Sequence, residues 1–249
     1  MRRAILAAAC VLLLAAPAPA QEDLVSGLSQ DTVLITSNYT GTDLVVFGAI
    51  EGAEGASGRD IVVVVRGPDA DMTIRRKDRI AGVWINDAHA RLGGVPSYYF
   101  LASTRALDKI ASPDTLARYD LGLANLIPQN VLSDGPIEPY RQALLRAQLK
   151  NGLYTQSAGG VEMLSASLFR VHVPVPATAA RGQYDAEVYL FRDGVVVSAQ
   201  STPLFVDQIG FERRLYAFAH EWPFSYGLST VLLAMLLGWI SSLFFRRRG

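Results

Sequence analysis

Ile61-Val62-Val63-Val64-Val65 is a run of five β-branched residues with no polar interruption. Such side chains favour extended backbone, and a strand wetted on one face would alternate apolar with polar. The unbroken run therefore predicts a strand covered on both faces. Gly52 to Gly58 reads as the glycine-rich loop before it, and Gly67-Pro68 ends it.

Working outward, the same signals recur at short intervals. Val33 and Ile35 alternate with Thr32, Leu34 and Thr36, Asn38-Tyr39-Thr40-Gly41-Thr42 supplies a turn, and Asp43 to Ile50 resumes the apolar pattern. Met72 to Lys77, Arg79 to Asn86 and Tyr98 to Thr104 are further candidate strands. After a break, strands return from Val161 to Val173, with Pro174-Val175-Pro176 expected to end them. Tyr184, Ala186, Val188 and Leu190 then alternate with Asp185, Glu187, Tyr189 and Phe191, and Asp193-Gly194 predicts a type I′ turn into a return strand from Val195 to Ser201.

Between these blocks the pattern is helical. Ser112-Pro113-Asp114 combines a capping serine, a proline at the first helical position and an early carboxylate, and so predicts a short helix to about Leu121. Glu138 to Lys150 predicts a longer one, with Leu144, Leu145 and Leu149 on one face and Asn151-Gly152 as its stop. The expected fold is mainly β, with one or two antiparallel Ig-like β-sandwich units, a helical insert and a single C-terminal transmembrane helix. The helical middle is the natural divide. It gives a β-sandwich-like domain over 21–134 and a helix plus second β domain over 135–210, followed by a juxtamembrane helix over 211–222.

The two ends carry address signals. Met1-Arg2-Arg3, an apolar stretch from Ala4 to Ala16 and Pro17-Ala18-Pro19-Ala20 form the secretory pattern, so residues 1–20 are expected to be a signal peptide cleaved after Ala20. Ala4 to Ala16 is too short to cross about 30 Å of hydrocarbon. The single cysteine, Cys10, lies inside this segment, with Ala7 where a lipoprotein site usually has a larger aliphatic residue. The processed chain would then have no thiol, which excludes disulfides, cysteine nucleophiles and cysteine-ligated metals.

From Pro223 to Phe245 no residue is charged, and Arg246-Arg247-Arg248 follows at once. At about 1.5 Å per residue this stretch is long enough to span a bilayer. Trp222 and Tyr226 fall near one interface and Trp239, Phe244 and Phe245 near the other. Phe211, Leu215, Phe218 and Trp222 share one face of the expected juxtamembrane helix, and Pro223 suits the first turn of the next. The positive-inside rule puts Arg246, Arg247 and Arg248, the tail over 246–249, in the cytoplasm. The expected placement is the bacterial inner membrane, with a single pass and the bulk of the chain periplasmic.

Charge narrows the partners. The chain has 23 basic and 23 acidic side chains, but Arg2, Arg3 and Arg246 to Arg248 lie outside the outermost acids, and removing these five leaves 18 against 23. A body of net −5 is a poor polyanion binder, so no nucleic acid is expected.

Several stretches together carry a family resemblance: Asn38-Tyr39-Thr40-Gly41-Thr42 with Phe47-Gly48-Ala49, Val64-Val65-Arg66-Gly67-Pro68, and Arg75-Arg76-Lys77 with Gly82-Val83-Trp84-Ile85-Asn86. To these are added Val95-Pro96-Ser97-Tyr98-Tyr99, Tyr226-Gly227 and Gly238-Trp239. With them the chain resembles the putative transmembrane protein family of alphaproteobacteria. The resemblance implies an exported domain and one C-terminal anchor, and a loose association with sulfite or organosulfur exporters. It defines no functional residues.

The sequence offers no local catalytic signature. It lacks Gly-x-Ser-x-Gly, Ser-x-x-Lys and His-x-x-x-His, and His89, His172 and His220 are far apart, in an expected loop, strand and juxtamembrane segment. Asp69 and Asp71 are too few for calcium. No catalytic, metal or cofactor residue is assigned.

Two features suggest contacts instead. Arg75, Arg76, Lys77 and Arg79 form a candidate interaction patch for an acidic partner or lipid headgroups, or else a charged edge strand that deters aggregation. Thr230, Ala234, Gly238 and Ser242 recur at every fourth position and form a candidate packing face within the membrane. The expected function is a non-catalytic interaction or assembly role at the envelope. Its partners would be the lipid bilayer and a membrane or periplasmic protein, or a second copy through the helix. An accessory subunit of a membrane transporter is the alternative, and an exported enzyme the third.

Overall fold

The computed structural model describes residues 23–36, 41–52, 58–80, 82–126, 128, 130–209 and 218–246. The expected signal peptide with Cys10, the turn at Asn38 to Thr40, most of the glycine-rich loop and the expected helical residues 211–217 lie outside these.

Among the described residues thirteen strands form three sheets. One has four strands in the order β1 (Asp23–Leu28), β3 (Thr42–Glu51), β11 (Leu168–Val175) and β10 (Glu162–Met163). The second has six: β2 (Thr32–Thr36), β13 (Val195–Ile209), β12 (Gly182–Arg192), β4 (Arg59–Arg66), β7 (Tyr99–Ser103) and β9 (Tyr154–Ala158). The third joins β5 (Asp69–Ile80), β6 (Val83–Pro96) and β8 (Asn130–Ser133).

The valine run is strand β4, and its side chains divide by parity. Ile61, Val63 and Val65 enter one hydrophobic core with Val46, Phe169 and Val171 of the four-stranded sheet. Val62 and Val64 enter a second core with Leu92 of β6, Leu116 and Leu144. β7 and the residue before it do the same, with Tyr98, Phe100 and Ala102 around the first core and Tyr99 and Leu101 in the second. The six-stranded sheet is thus the middle of three layers, which is why neither strand shows a polar alternation. In β12 the alternation is clear at Tyr184 to Val188, yet Tyr189 and Phe191 are also buried, because there the second layer lies over them.

The second layer is helical and β. Helices α1 (Leu107–Ile110), α2 (Pro113–Arg118) and α3 (Glu138–Lys150) fill the long connection from β7 to β9, with a 3-10 turn at Leu123–Asn125. β7 and β9 pair in parallel, and parallel neighbours need a crossover across a sheet face. The helical middle is that crossover. Strands before and after Asp134 share the sheets, since β3 pairs β11 and β4 pairs β12. The β strands therefore build one sandwich, not two units meeting near Asp134.

Local signals hold where they were strongest. Ser112 Oγ accepts the Thr115 amide at 3.3 Å, although α2 ends at Arg118 rather than Leu121. Helix α3 has the expected bounds, but its buried face is Tyr140, Leu144 and Gln148, while Leu149 is exposed. Asp193 and Gly194 adopt φ of 50° and 85°, as a type I′ turn requires. β11 runs on through Pro174 to Val175, and β13 continues past Ser201 to Ile209, where β2 pairs with it in parallel. β5 and β6 form one long hairpin turning after Ile80, so Asp78 is within a strand and not between two.

Gly48 is where the four-stranded sheet has least room. A Cβ there would stand 2.6 Å from the Phe169 ring and 2.6 Å from the Val25 carbonyl oxygen. Gly48→Ala should lower the stability of the full-length protein by about 1–3 kcal/mol, read by thermal unfolding in detergent. Gly135→Ala, which meets nothing within 4 Å, should leave the midpoint within error. Equal midpoints for both variants would contradict this packing.

Candidate functional site

Among the described side chains of the C-terminal helix α4 (Pro223–Arg246) none is buried. Its apolar segment Pro223–Ser241 has mean hydropathy 1.6 and none of it is buried. Met235, Leu236 and Leu237 are 52–66% exposed and stand about 100° apart in succession around the helix, and a helix apolar all round needs lipid or protein about it.

Two hydroxyls in this helix are satisfied internally. Ser229 Oγ donates to the Ser225 carbonyl at 2.7 Å and Thr230 Oγ1 to that of Tyr226 at 2.8 Å, as a polar side chain in hydrocarbon requires. Residues 218–221 are helical, and the Trp222 and Tyr226 amides bond to Phe218 and Trp222 across the entry at Pro223. Of the small-residue stripe, Thr230, Ala234 and Gly238 are exposed and no heavy atom approaches a Cβ built on Gly238 within 4 Å. The side chains of Ser242 and Arg246, and Arg247 and Arg248 altogether, lie outside the described residues.

Arg75, Arg76, Lys77 and Arg79 are all exposed along β5, the outer strand of its sheet. Arg79 Nε donates to the Gly82 carbonyl at 3.3 Å, folding back over the turn. The ladder shifts register between Arg76 and Lys77, so charge and an irregularity coincide on one edge, a combination that hinders pairing with another chain.

The histidines are not gathered. His89 stands in β6 rather than a loop, His172 in β11 and His220 in the turn 218–221. His89 Nδ1 lies 2.8 Å from Asp134 Oδ2, which also accepts the His89 amide at 2.9 Å. That pair fastens the end of β8 to β6. Among the described residues no three of His, Cys, Asp and Glu cluster as metal ligands.

The most developed polar cluster was not singled out from sequence. Arg66 ends β4 on the face of Val62 and Val64, and Glu187 and Tyr189 project from the adjoining β12. Arg66 Nη1 pairs with Glu187 Oε2, and Nη2 donates to the Tyr119 and Asp120 carbonyls at 3.1 Å each. A strand arginine therefore caps the C-terminus of α2 and fastens the crossover to the sheet. Tyr189 donates to Glu187 at 2.9 Å, and Tyr99 Oη accepts the Gly122 amide at 2.8 Å. The sequence signal was slight: one arginine in phase with the even valines, and one glutamate in phase with Tyr189.

Burial pushes the Tyr99 hydroxyl up to about 12, against the opposing bond from Gly122. Burial and then the Glu187 carboxylate push Tyr189 up to about 12 as well. Burial also raises Tyr154, whose hydroxyl donates to the Pro96 carbonyl at 2.6 Å. Unfolded tyrosine ionises near pH 10, so stability should be complete below that and fall as pH rises towards 12, where the folded hydroxyls ionise. Tyr99 alone should account for about 2–3 kcal/mol of that loss. Urea unfolding of wild type and Tyr99→Phe between pH 9 and 12 checks it: the variant, weaker at pH 9, should lose less on the way up, and parallel curves would contradict the assignment.

No curated protein matches the chain. The family model described as "Putative transmembrane protein (Alph_Pro_TM)" matches residues 23–247, from the first strand through the apolar helix and into the arginines after it. With that match over nearly the whole length, and with one helix apolar and long enough to cross a bilayer, the chain belongs to this transmembrane protein family.

Proposed function

We propose that this is a single-pass protein of the bacterial inner membrane whose β body stands in the periplasm and serves a non-catalytic interaction or assembly role. The observation that carries the reading is the unburied apolar helix at the end of a body whose own apolar residues fill two cores. A body already packed on its own account needs the helix only for attachment. The Arg2-Arg3 leader pattern supports export of the body, and Arg246, Arg247 and Arg248 support a cytoplasmic C-terminus. Alkaline phosphatase, active only outside the cytoplasm, should be inactive when fused after Gly249 and active when fused after Gln208. The reverse pattern would overturn the placement.

A second reading, an accessory subunit of a membrane transporter such as a sulfite or organosulfur exporter, is favoured by the exposed small-residue face of α4. Thr230, Ala234, Gly238 and Ser242 would let a second helix approach closely, whether from a polytopic partner or from another copy. Gly238→Ile should then reduce recovery of the partner or dimer in mild detergent, and Leu236→Ile should not. Equal recovery with all three chains would make α4 a simple tether.

A further inference from the structure

The crossover that covers the outer face of β7 and β9 does not fill it: a cavity of about 490 Å³ remains between these strands and the helices. Leu107, Leu116, Leu121 and Leu123 line its wall, and Ser103 and Ala158 its floor. The volume and apolar lining are those of a small-molecule site.

The wall is held in place by the sheet beneath it. The Gly122 amide bonds to Tyr99 Oη at 2.8 Å and the Leu123 amide to Gln156 Oε1 at 3.0 Å. Gly122 takes φ +97°, where a Cβ would come 3.2 Å from Leu107 Cδ1. A side chain there would be strained and would crowd the wall, so glycine keeps it open.

The mouth has one sign of charge. Asn125, Gln156 and the exposed Asp108 lie there, and Asp108 is the only ionisable side chain among the described lining residues. Gln156 Oε1 is already engaged, which leaves the Asp108 carboxylate as the strongest acceptor. An anionic head would meet that carboxylate, whereas Arg141, whose Nη1 bonds the Ala124 carbonyl at 2.9 Å, is itself paired with Glu138 and does not line the cavity.

We propose that this cavity binds a small amphipathic amine, its apolar body against the four leucines and its ammonium at Asp108. The proposal does not depend on the membrane placement above. Because Asp108 is exposed, the tail decides whether binding occurs and the head adds only a several-fold preference.

The test uses full-length protein in lipid nanodiscs with leucine methyls labelled for NMR, titrated with hexylammonium, hexanol and hexanoate. Leu228, Leu232 and Leu236 on α4 report partitioning into lipid, and the four cavity leucines report binding. The cavity methyls should shift with hexylammonium, need about threefold more hexanol, and need about tenfold more hexanoate for the same shift. Ala158→Trp, which fills the floor, should abolish the shifts with all three. Asp108→Asn, on an exposed helix position, should bring hexylammonium to the hexanol level and leave hexanol unchanged. Unmoved cavity methyls, hexanoate binding as tightly as hexylammonium, or an ammonium preference that survives Asp108→Asn would each overturn the proposal.

Discussion

Everything in the body depends on the requirement that both faces of β4 be kept from water. Five consecutive β-branched side chains leave no face that can be wetted. The four-stranded sheet supplies one cover and the crossover layer the other, and each cover then has its own apolar residues to hide. Val46, Phe169 and Val171 turn inward on one side, and Leu92, Leu116 and Leu144 on the other. The central strand thereby couples two cores that share no fully buried side chain but share a backbone.

That coupling explains the placement of the polar cluster. The helical layer is made of short pieces, and α1 and α2 are too short to be stable apart from their contacts with the sheet. Arg66 reaches from the end of β4 to the carbonyls of Tyr119 and Asp120, so the strand that needs the cover also fastens it. Burying a guanidinium is costly unless its donors are used, and here Glu187 and two backbone oxygens use them. The same arrangement shelters Tyr99 and Tyr189, whose raised ionisation follows from the closure of this layer.

Much of this was legible from residues whose effects are local. The valine run, the Asp193-Gly194 turn, the Ser112 cap, the bounds of α3 and the apolar C-terminal stretch each act over a few positions, and each appears as read. What could not be read depends on distant pairing or on weak composition. β1, β8 and β9 carry Ser-Gly, Asn and Thr-Gln-Ser in place of an apolar run and become strands because a neighbour's ladder is already there. The parallel pairings at both margins of the central sheet leave no mark on the sequence. Arg66 and Glu187 are 121 positions apart, and neither is unusual by itself. Leu149 shows the limit of apolar spacing: it continues the leucine pattern of α3, yet it is exposed while Gln148 is buried against Met72 Sδ at 3.1 Å.

β13 is the longest strand, and the chain leaves it at Ile209 on its way to α4. Along its last residues it is bonded on one side to β12, through Phe205 and Val206, and on the other to β2, from Phe205 to Ile209. A pull on Ile209 along the axis of this strand would be met by the ladders on its two sides. Ladder hydrogen bonds run across that axis, so the load falls on many of them together in shear, where a force at right angles would peel them one after another. The strand that leads to the anchor is thus also the one best placed to resist being drawn out, and the body can be towed by its tether without unravelling from its attached end.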